Sequence, residues 1–206
     1  GLKGSELTYH SLMDPIEVTA ALFGVASVYL SARQNVWNWP LGIINVTLYI
    51  FVFYDAKLYA DMGLQAVYIV LAAYGWWHWL HGGANRGALR VSRAPRREII
   101  LLALAFIAGT AALSTLLART TDASLPLADS ALTAASLVAQ YMMTRKYVEC
   151  WLVWIAADTA YVAMFIYKSL WPTAGLYLLF TVLAVVGWRH WRASLREQSL
   201  PQAAFA

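Results

Sequence analysis

Long apolar runs dominate the chain, separated by short charged stretches. Runs free of Asp, Glu, Lys and Arg cover 18–32, 34–54, 62–85, 99–118, 130–144 and 169–188. A seventh apolar stretch, 147–167, is broken by Glu149 near one end and Asp158 near its middle. A helix needs about 20 residues to cross roughly 30 Å of hydrocarbon, whereas barrel strands would alternate over about 10. The pattern therefore predicts an all-α integral membrane protein. Its seven spans are placed at 16–33, 37–55, 61–81, 98–118, 127–144, 147–167 and 172–191. Pro40 and Pro172 fall in first helical turns, where a missing N–H costs little. The segment 1–15 is polar and lacks an apolar core with a small-residue cleavage site, so no cleavable signal peptide is expected.

Composition supports the same solvent. Of 206 residues 61% are apolar and 13% charged, against about 25% charged in a soluble domain. A chain this short has too little interior to hide that apolar surface, which excludes a soluble globular protein. Disorder and a disulfide scaffold are excluded too, since Cys150 is the only cysteine. The net charge of +4 reports topology rather than a nucleic-acid partner. Arg33, Arg86, Arg90, Arg93, Arg96, Arg97, Arg145, Lys146, Arg189, Arg192 and Arg196 fall on one side, and only Lys3, Lys57, Arg119 and Lys168 on the other. The richer side is expected in the cytoplasm, with the N-terminus outside and the C-terminus inside. The basic stretch 86–97 reads either as a contact with anionic headgroups or as a solvated topology determinant.

Shifting the sequence by 112 residues aligns 20–79 with 132–191 without a gap. Arg33/Arg145, Trp39/Trp151, Tyr49/Tyr161, Phe53/Phe165, Leu58/Leu170, Gly63/Gly175, Gly75/Gly187, His78/His190 and Trp79/Trp191 are identical pairs. Similarity between apolar helices is common, but it rarely keeps Gly, Trp, Arg and His in register. One transmembrane domain, 1–206, is then expected to hold two three-helix repeats, 16–81 and 127–191. The single helix 98–118 between them restores the starting side, so the repeats are parallel. That 3+1+3 plan suits a small-solute carrier with its site at the repeat interface.

Polar groups at membrane depth point to the site. Asp158 sits near the centre of its span, where a carboxylate costs a few kcal/mol and is functional by default. No Lys or Arg lies at matching depth, so the choice is between a cation contact and a structural hydrogen bond. Trp151, Trp154, Asp158, Tyr161 and Phe165 are spaced 3, 4, 3 and 4 and share one helix face. Aromatic planes beside an anion suit a flat cationic ring; interfacial packing is the alternative, strongest for Trp151. In the first repeat Asn38, Gly42, Asn45 and Tyr49 share a face, and Asn45 is either a ligand or interhelical glue. Gln140 forms a stripe with Ser136 and Met143, while Gln65, Tyr68 and Tyr177 lie nearer the outer side. His78, His81 and His190 stand among Trp at inner span ends and read as interfacial belts rather than a metal site. No Gly-x-Ser-x-Gly elbow, His-Glu-x-x-His or Walker loop occurs, and no cofactor is implied.

These residues carry a family resemblance. Trp39-Pro-Leu-Gly-Ile-Ile-Asn45-Val-Thr-Leu-Tyr49, Ala56-Lys-Leu-Tyr-Ala-Asp61, Tyr74-Gly-Trp76, and Met143-Thr-Arg-Lys-Tyr-Val-Glu149-Cys-Trp151-Leu-Val-Trp154 followed by Asp158 resemble the PnuC family of vitamin transporters. The resemblance spans nearly all of 16–192. It implies a nicotinamide riboside carrier, with related branches carrying thiamine or riboflavin, and an architecture similar to SWEET sugar carriers with opposite membrane orientation. It also implies a homotrimer, facilitated diffusion feeding NAD biosynthesis, and trapping by a cytoplasmic vitamin kinase. The matched motif positions are Gln140, Trp151, Trp154, Asp158, Asn45 and Tyr49. The enteric riboside carriers have Asn-Val where this chain has Asp158-Thr159, and they lack the tyrosine that stands here as Tyr161. The Asp form is similar to thiamine-type members.

The expected function is a membrane facilitator for a cationic water-soluble vitamin, nicotinamide riboside first and thiamine second. Both carry one positive ring; riboflavin is neutral and suits Asp158 less. An intramembrane enzyme would need a second catalytic carboxylate, His or nucleophile at the depth of Asp158, and the spans hold none. A heptahelical sensor would have no need of matched half-sites.

Overall fold

The computed structural model describes residues 15–55, 59–120 and 125–199, and all regular structure in them is helical. Lys3, Lys57, Leu58 and the polar segment before Pro15 lie outside the described residues. The helices are α1 (Pro15–Ala32), α2 (Asn38–Asp55), α3 (Tyr59–His81), α4 (Arg96–Thr120), α5 (Pro126–Thr144), α6 (Cys150–Tyr167) and α7 (Trp171–Ser199). Prolines 15 and 126 open α1 and α5, and Pro40 and Pro172 sit within the first turns of α2 and α7, where the first N–H groups have no intrahelical acceptor.

Two boundaries depart from the pattern-based spans. α6 begins at Cys150 rather than 147, because Lys146 takes a left-handed conformation (φ 57°) that ends α5. α7 runs to Ser199 rather than 191, since the charged stretch beyond the apolar run continues as helix. Four helices, α1, α4, α6 and α7, are long and apolar enough to cross a membrane by themselves. α2, α3 and α5 fall short of that because they carry Asn38, Asn45, Gln65, Tyr68, Ser130, Ser136 and Gln140.

Six helices form a ring. α1 packs on α2, α2 on α3, α3 crosses to α5, α5 packs on α6, α6 on α7, and α7 returns to α1. α4 stands outside this ring against α5. Positions 112 apart share surroundings. The α1–α2 and α5–α6 turns use the same bonds: Asn35 N donates to Leu30 O (2.9 Å) and Tyr147 N to Met142 O (3.1 Å). Gln34 and Lys146, both at φ 57°, are the left-handed residues that such 6→1 closures require. Gly75 admits the Trp39 ring and Gly187 the Trp151 ring, each so closely that a Cβ would overlap the indole.

The stretch after α3 is not a free loop. Val91 and Ala94 are buried while Arg90, Arg93, Arg96 and Arg97 stay exposed. Ser92 pairs with the α5–α6 turn, its N–H donating to Lys146 O and its carbonyl accepting from Val148 N. Ala94 N donates to the Glu149 carboxylate at 2.9 Å, and Lys146 Nζ donates to Leu89 O at 2.9 Å. Glu149 is thus an anchor for this strap rather than a defect in α6.

Gly75→Ala and Gly187→Ala should each destabilise the protein by about 1–3 kcal/mol through overpacking. Gly63→Ala and Gly175→Ala, with open space at the Cβ, should leave the unfolding midpoint unchanged or slightly raised. Thermal unfolding in detergent checks the contrast, and a neutral Gly187→Ala overturns it. Lys146 supplies a pH signature, because burial pushes its ammonium from 10.5 down to about 8. Between about pH 8 and 10.5 the unfolded chain keeps the proton that the folded chain has released, so this group's contribution to stability rises with pH. The difference in unfolding midpoint between wild type and Lys146→Met should change across that window and be flat below it.

Candidate functional site

A cavity of about 560 Å³ occupies the centre of the six-helix ring, lined from α1, α2, α3, α5, α6 and α7. All eleven residues selected from the sequence line it: Asn38, Asn45 and Tyr49 from α2, Gln65 and Tyr68 from α3, Gln140 from α5, Trp151, Trp154, Asp158 and Tyr161 from α6, and Tyr177 from α7. The 3-4-3-4 spacing along α6 turns its aromatic face and Asp158 inward together.

Asp158 is 4% exposed. Among the described residues it makes no ion pair, the only salt bridge there being Lys168 with Asp129 at 3.6 Å, and it accepts no side-chain hydrogen bond. A buried carboxylate is normally paired, because desolvation disfavours the charge. The structural hydrogen bond considered as the alternative for Asp158 is therefore not formed. Asn45 behaves otherwise. Its Nδ2 donates to Ala20 O at 2.6 Å and lies over Gly24. The interhelical glue reading is thus realised, and Asn45 faces the cavity with its amide nitrogen already engaged on α1.

The wall beyond Asp158 is aromatic. Tyr49 stacks on Phe53 and Tyr161 on Phe165, each at 5.8 Å. Tyr177 packs on Tyr161 (4.8 Å) and Phe165 (5.1 Å). Ser136, which also lines the cavity, donates its hydroxyl to Leu132 O at 2.9 Å. At the arginine-rich end four tryptophans pack into a floor, of which Trp39 and Trp151 line the cavity. Trp39 meets Trp79 edge-on (5.3 Å, 87°), Trp151 meets Trp191 the same way (5.4 Å, 89°), and Trp79 touches Trp191 at 5.8 Å. Trp79 Nε1 donates to Met143 O (2.9 Å) and Trp191 Nε1 to Ser31 O (3.1 Å), each across to the other half of the ring. Trp151 is therefore a buried floor residue, not an interfacial one, and of the tryptophans beside the histidines at the inner span ends Trp79 and Trp191 are buried as well, not part of an interfacial belt. Among the described residues no cluster of three metal-ligating side chains forms, and His78 stacks on Tyr74.

Sequence reasoning missed several lining residues that the 112-residue shift could have supplied. The stripe Ser136, Gln140, Met143 maps onto Gly24, Val28, Ser31, and all six line the cavity. The face Trp151, Trp154, Asp158, Tyr161, Phe165 maps onto Trp39, Gly42, Val46, Tyr49, Phe53, which line it as well. Ser27 and Thr173 carried no signal of this kind.

A family model described as nicotinamide mononucleotide transporter matches residues 14–193. The chain belongs to this family. It is 27% identical to the nicotinamide riboside transporter PnuC of Escherichia coli, over 89% of this chain and 87% of that protein. It is also 27% identical to the riboflavin/roseoflavin transporter RibM of Streptomyces davaonensis, over 90% and 88%. A crystal structure of the vitamin B3 transporter PnuC shares its fold, with a TM-score of 0.73 and 22% identity, over 95% of this chain and 88% of that one. The chain is thus a multi-pass membrane protein of the PnuC family of vitamin transporters.

The contrast between the two polar groups on α2 and α6 is testable without substrate. Asp158→Asn should hold or raise the thermal unfolding midpoint, since it removes a desolvated charge with no partner. Asn45→Ala should lower it, by about 0.6–2 kcal/mol for one interhelical hydrogen bond. A marked destabilisation by Asp158→Asn would return that residue to a structural role.

Proposed function

We propose that this protein is a facilitator for a cationic, water-soluble vitamin, with nicotinamide riboside as the leading substrate. The observation that carries the reading is Asp158, buried in the central cavity without a protein partner and flanked by Trp154 and Tyr161. A positively charged flat ring would supply the missing partner and stack on the aromatic planes. Gln140, Gln65, Tyr68 and Tyr177 offer hydrogen bonds to a ribose or amide, while Tyr49, Trp151 and Asn38 complete the wall. Thiamine is the second reading, favoured by Asp158-Thr159 where the enteric riboside carriers have Asn-Val.

In this reading 16–81 and 127–191 are two parallel repeats in a SWEET-like 3+1+3 plan, joined by the 98–118 helix. The matched turns at Gln34 and Lys146 and the matched tryptophan pairs support it. Alternating access exposes the cavity to either side of a bacterial inner membrane, with the N-terminus outside and the arginine-rich end in the cytoplasm. Net uptake is downhill, and a cytoplasmic kinase retains the vitamin by phosphorylation. A homotrimer is part of the same reading, with the exposed apolar face of α4 free to meet a second copy.

Calorimetric titration of purified protein with nicotinamide riboside, thiamine and riboflavin tests the substrate. Binding should be strongest for a cation, and Asp158→Asn should weaken it about tenfold to a hundredfold, as expected for a charge-assisted contact. Tight riboflavin binding untouched by Asp158→Asn would sink the cation reading.

A further inference from the structure

The ring has two seams between its halves, α1 against α7 and α3 against α5. At the arginine-rich end they are held very differently. On the α3 side Trp79 Nε1 reaches Met143 O, and the strap adds a second tie. Leu89 N donates to Trp79 O, which fixes the strap to α3. Ser92, Ala94 and Leu89 then bind Lys146, Val148 and Glu149, which fixes it to the α5–α6 turn. Lys146 is central to both ties. It is 7% exposed, its ammonium lies 4.4 Å over the Trp79 ring, and its Nζ donates to Leu89 O. On the α1 side the corresponding cross-seam bond, Trp191 Nε1 to Ser31 O, has no strap beside it. Gln34, at the position matching Lys146, is neutral and half-buried, and the chain after Trp191 continues as helix to Ser199.

We propose that the cavity opens toward the arginine-rich end on one side only: α1 and α7 part, while Lys146 and the 87–95 strap keep α3 joined to the α5–α6 turn. Lys146 is then a positioning residue for the transport step, acting through Trp79 and outside the cavity. The proposal rests on the alternating-access reading and adds which seam moves. With the strap anchored to α3 by Leu89 N, five hydrogen bonds and a cation–π contact cross one seam at this end, and one indole hydrogen bond crosses the other. A ring held so unequally hinges on the tied seam.

Paired nitroxide labels in nanodisc-embedded protein test this. One pair is Arg33→Cys with Glu197→Cys, across the α1–α7 seam. The other is His81→Cys with Leu152→Cys, from the end of α3 to the start of α6. All four positions are exposed, and Cys150 is fully buried and stays in place. Between vitamin-free and nicotinamide riboside-saturated protein, the first distance should shift by on the order of one helical turn, about 5 Å, and the second by less than about 2 Å. Lys146→Met should free the second distance and lower the maximal rate of uptake into proteoliposomes several-fold, with the calorimetric affinity within about twofold of wild type. Lys146→Arg should restore the rate. Equal movement of both pairs in the wild type overturns the proposal, as does an unmoved first pair. If Lys146→Met does not fold, the wild-type comparison decides alone. Wild-type protein that takes up none of the vitamins overturns the functional reading itself, whereas uptake with a moving second pair overturns only the hinge.

Discussion

The reciprocal indole bonds at the floor of the ring are the constraint on which the rest depends. Between helices in a bilayer there is no hydrophobic driving force, because lipid tails are as apolar as leucine, so close packing and hydrogen bonds must hold the halves together. Here Trp79 donates to Met143 O and Trp191 to Ser31 O, each from one half to the other. Beside these donors, Gly75 and Gly187 let the Trp39 and Trp151 rings close on α3 and α7, where any side chain would overlap the indole. Trp39 and Trp151 of this cluster also line the cavity, so the rings packed between the halves form part of its wall.

Chemistry sits where the matched frame is broken. Twelve pairs of cavity positions stand 112 apart, yet their side chains diverge at the middle of the ring. Asp158 corresponds to Val46, Gln140 to Val28 and Trp154 to Gly42. One wall thus carries charge, amide and indole, and the other carries small apolar side chains that leave room opposite them. On the proposed reading, that asymmetry gives a solute with one charged ring a single orientation in the cavity. The frame supplies the volume and the closure, and departures from it supply recognition.

Much of this was legible from residues alone, for identifiable reasons. Span positions follow from charge-free runs, since the bilayer admits few alternatives. The inward face of α6 follows from 3-4-3-4 spacing. The shift of 112 projects that face correctly onto α2, and the stripe of α5 onto α1. Other features lie beyond a one-dimensional pattern. The strap was unreadable because its arginines signal solvent while Val91 and Ala94 alternate into the interior over only a few residues. The start of α6 depends on the left-handed backbone of Lys146, which no lysine advertises. Whether Asn45 serves a ligand or a neighbour depends on where the Ala20 carbonyl falls, which is a matter of packing.

The closed floor also holds unpaired groups that bear on its function. The Nε1 donors of Trp39 and Trp151 and the amide of Asn38 are buried without partners among the described residues, and Asp158 stands unpaired above them. Each such group costs about 1–3 kcal/mol while it stays dry. The indole bond across the α1–α7 seam and the aromatic contacts act in the opposite direction. On the proposed alternating-access reading, opening this end brings the floor donors to water and relieves that cost. Near balance is what a passive carrier requires: a state held too firmly would bind its solute and not release it, since a ligand shifts the two states only by its difference in affinity for them. On the proposed reading, the orphaned donors keep the closed end from being too stable, and the carboxylate at midspan supplies the affinity difference that moves it.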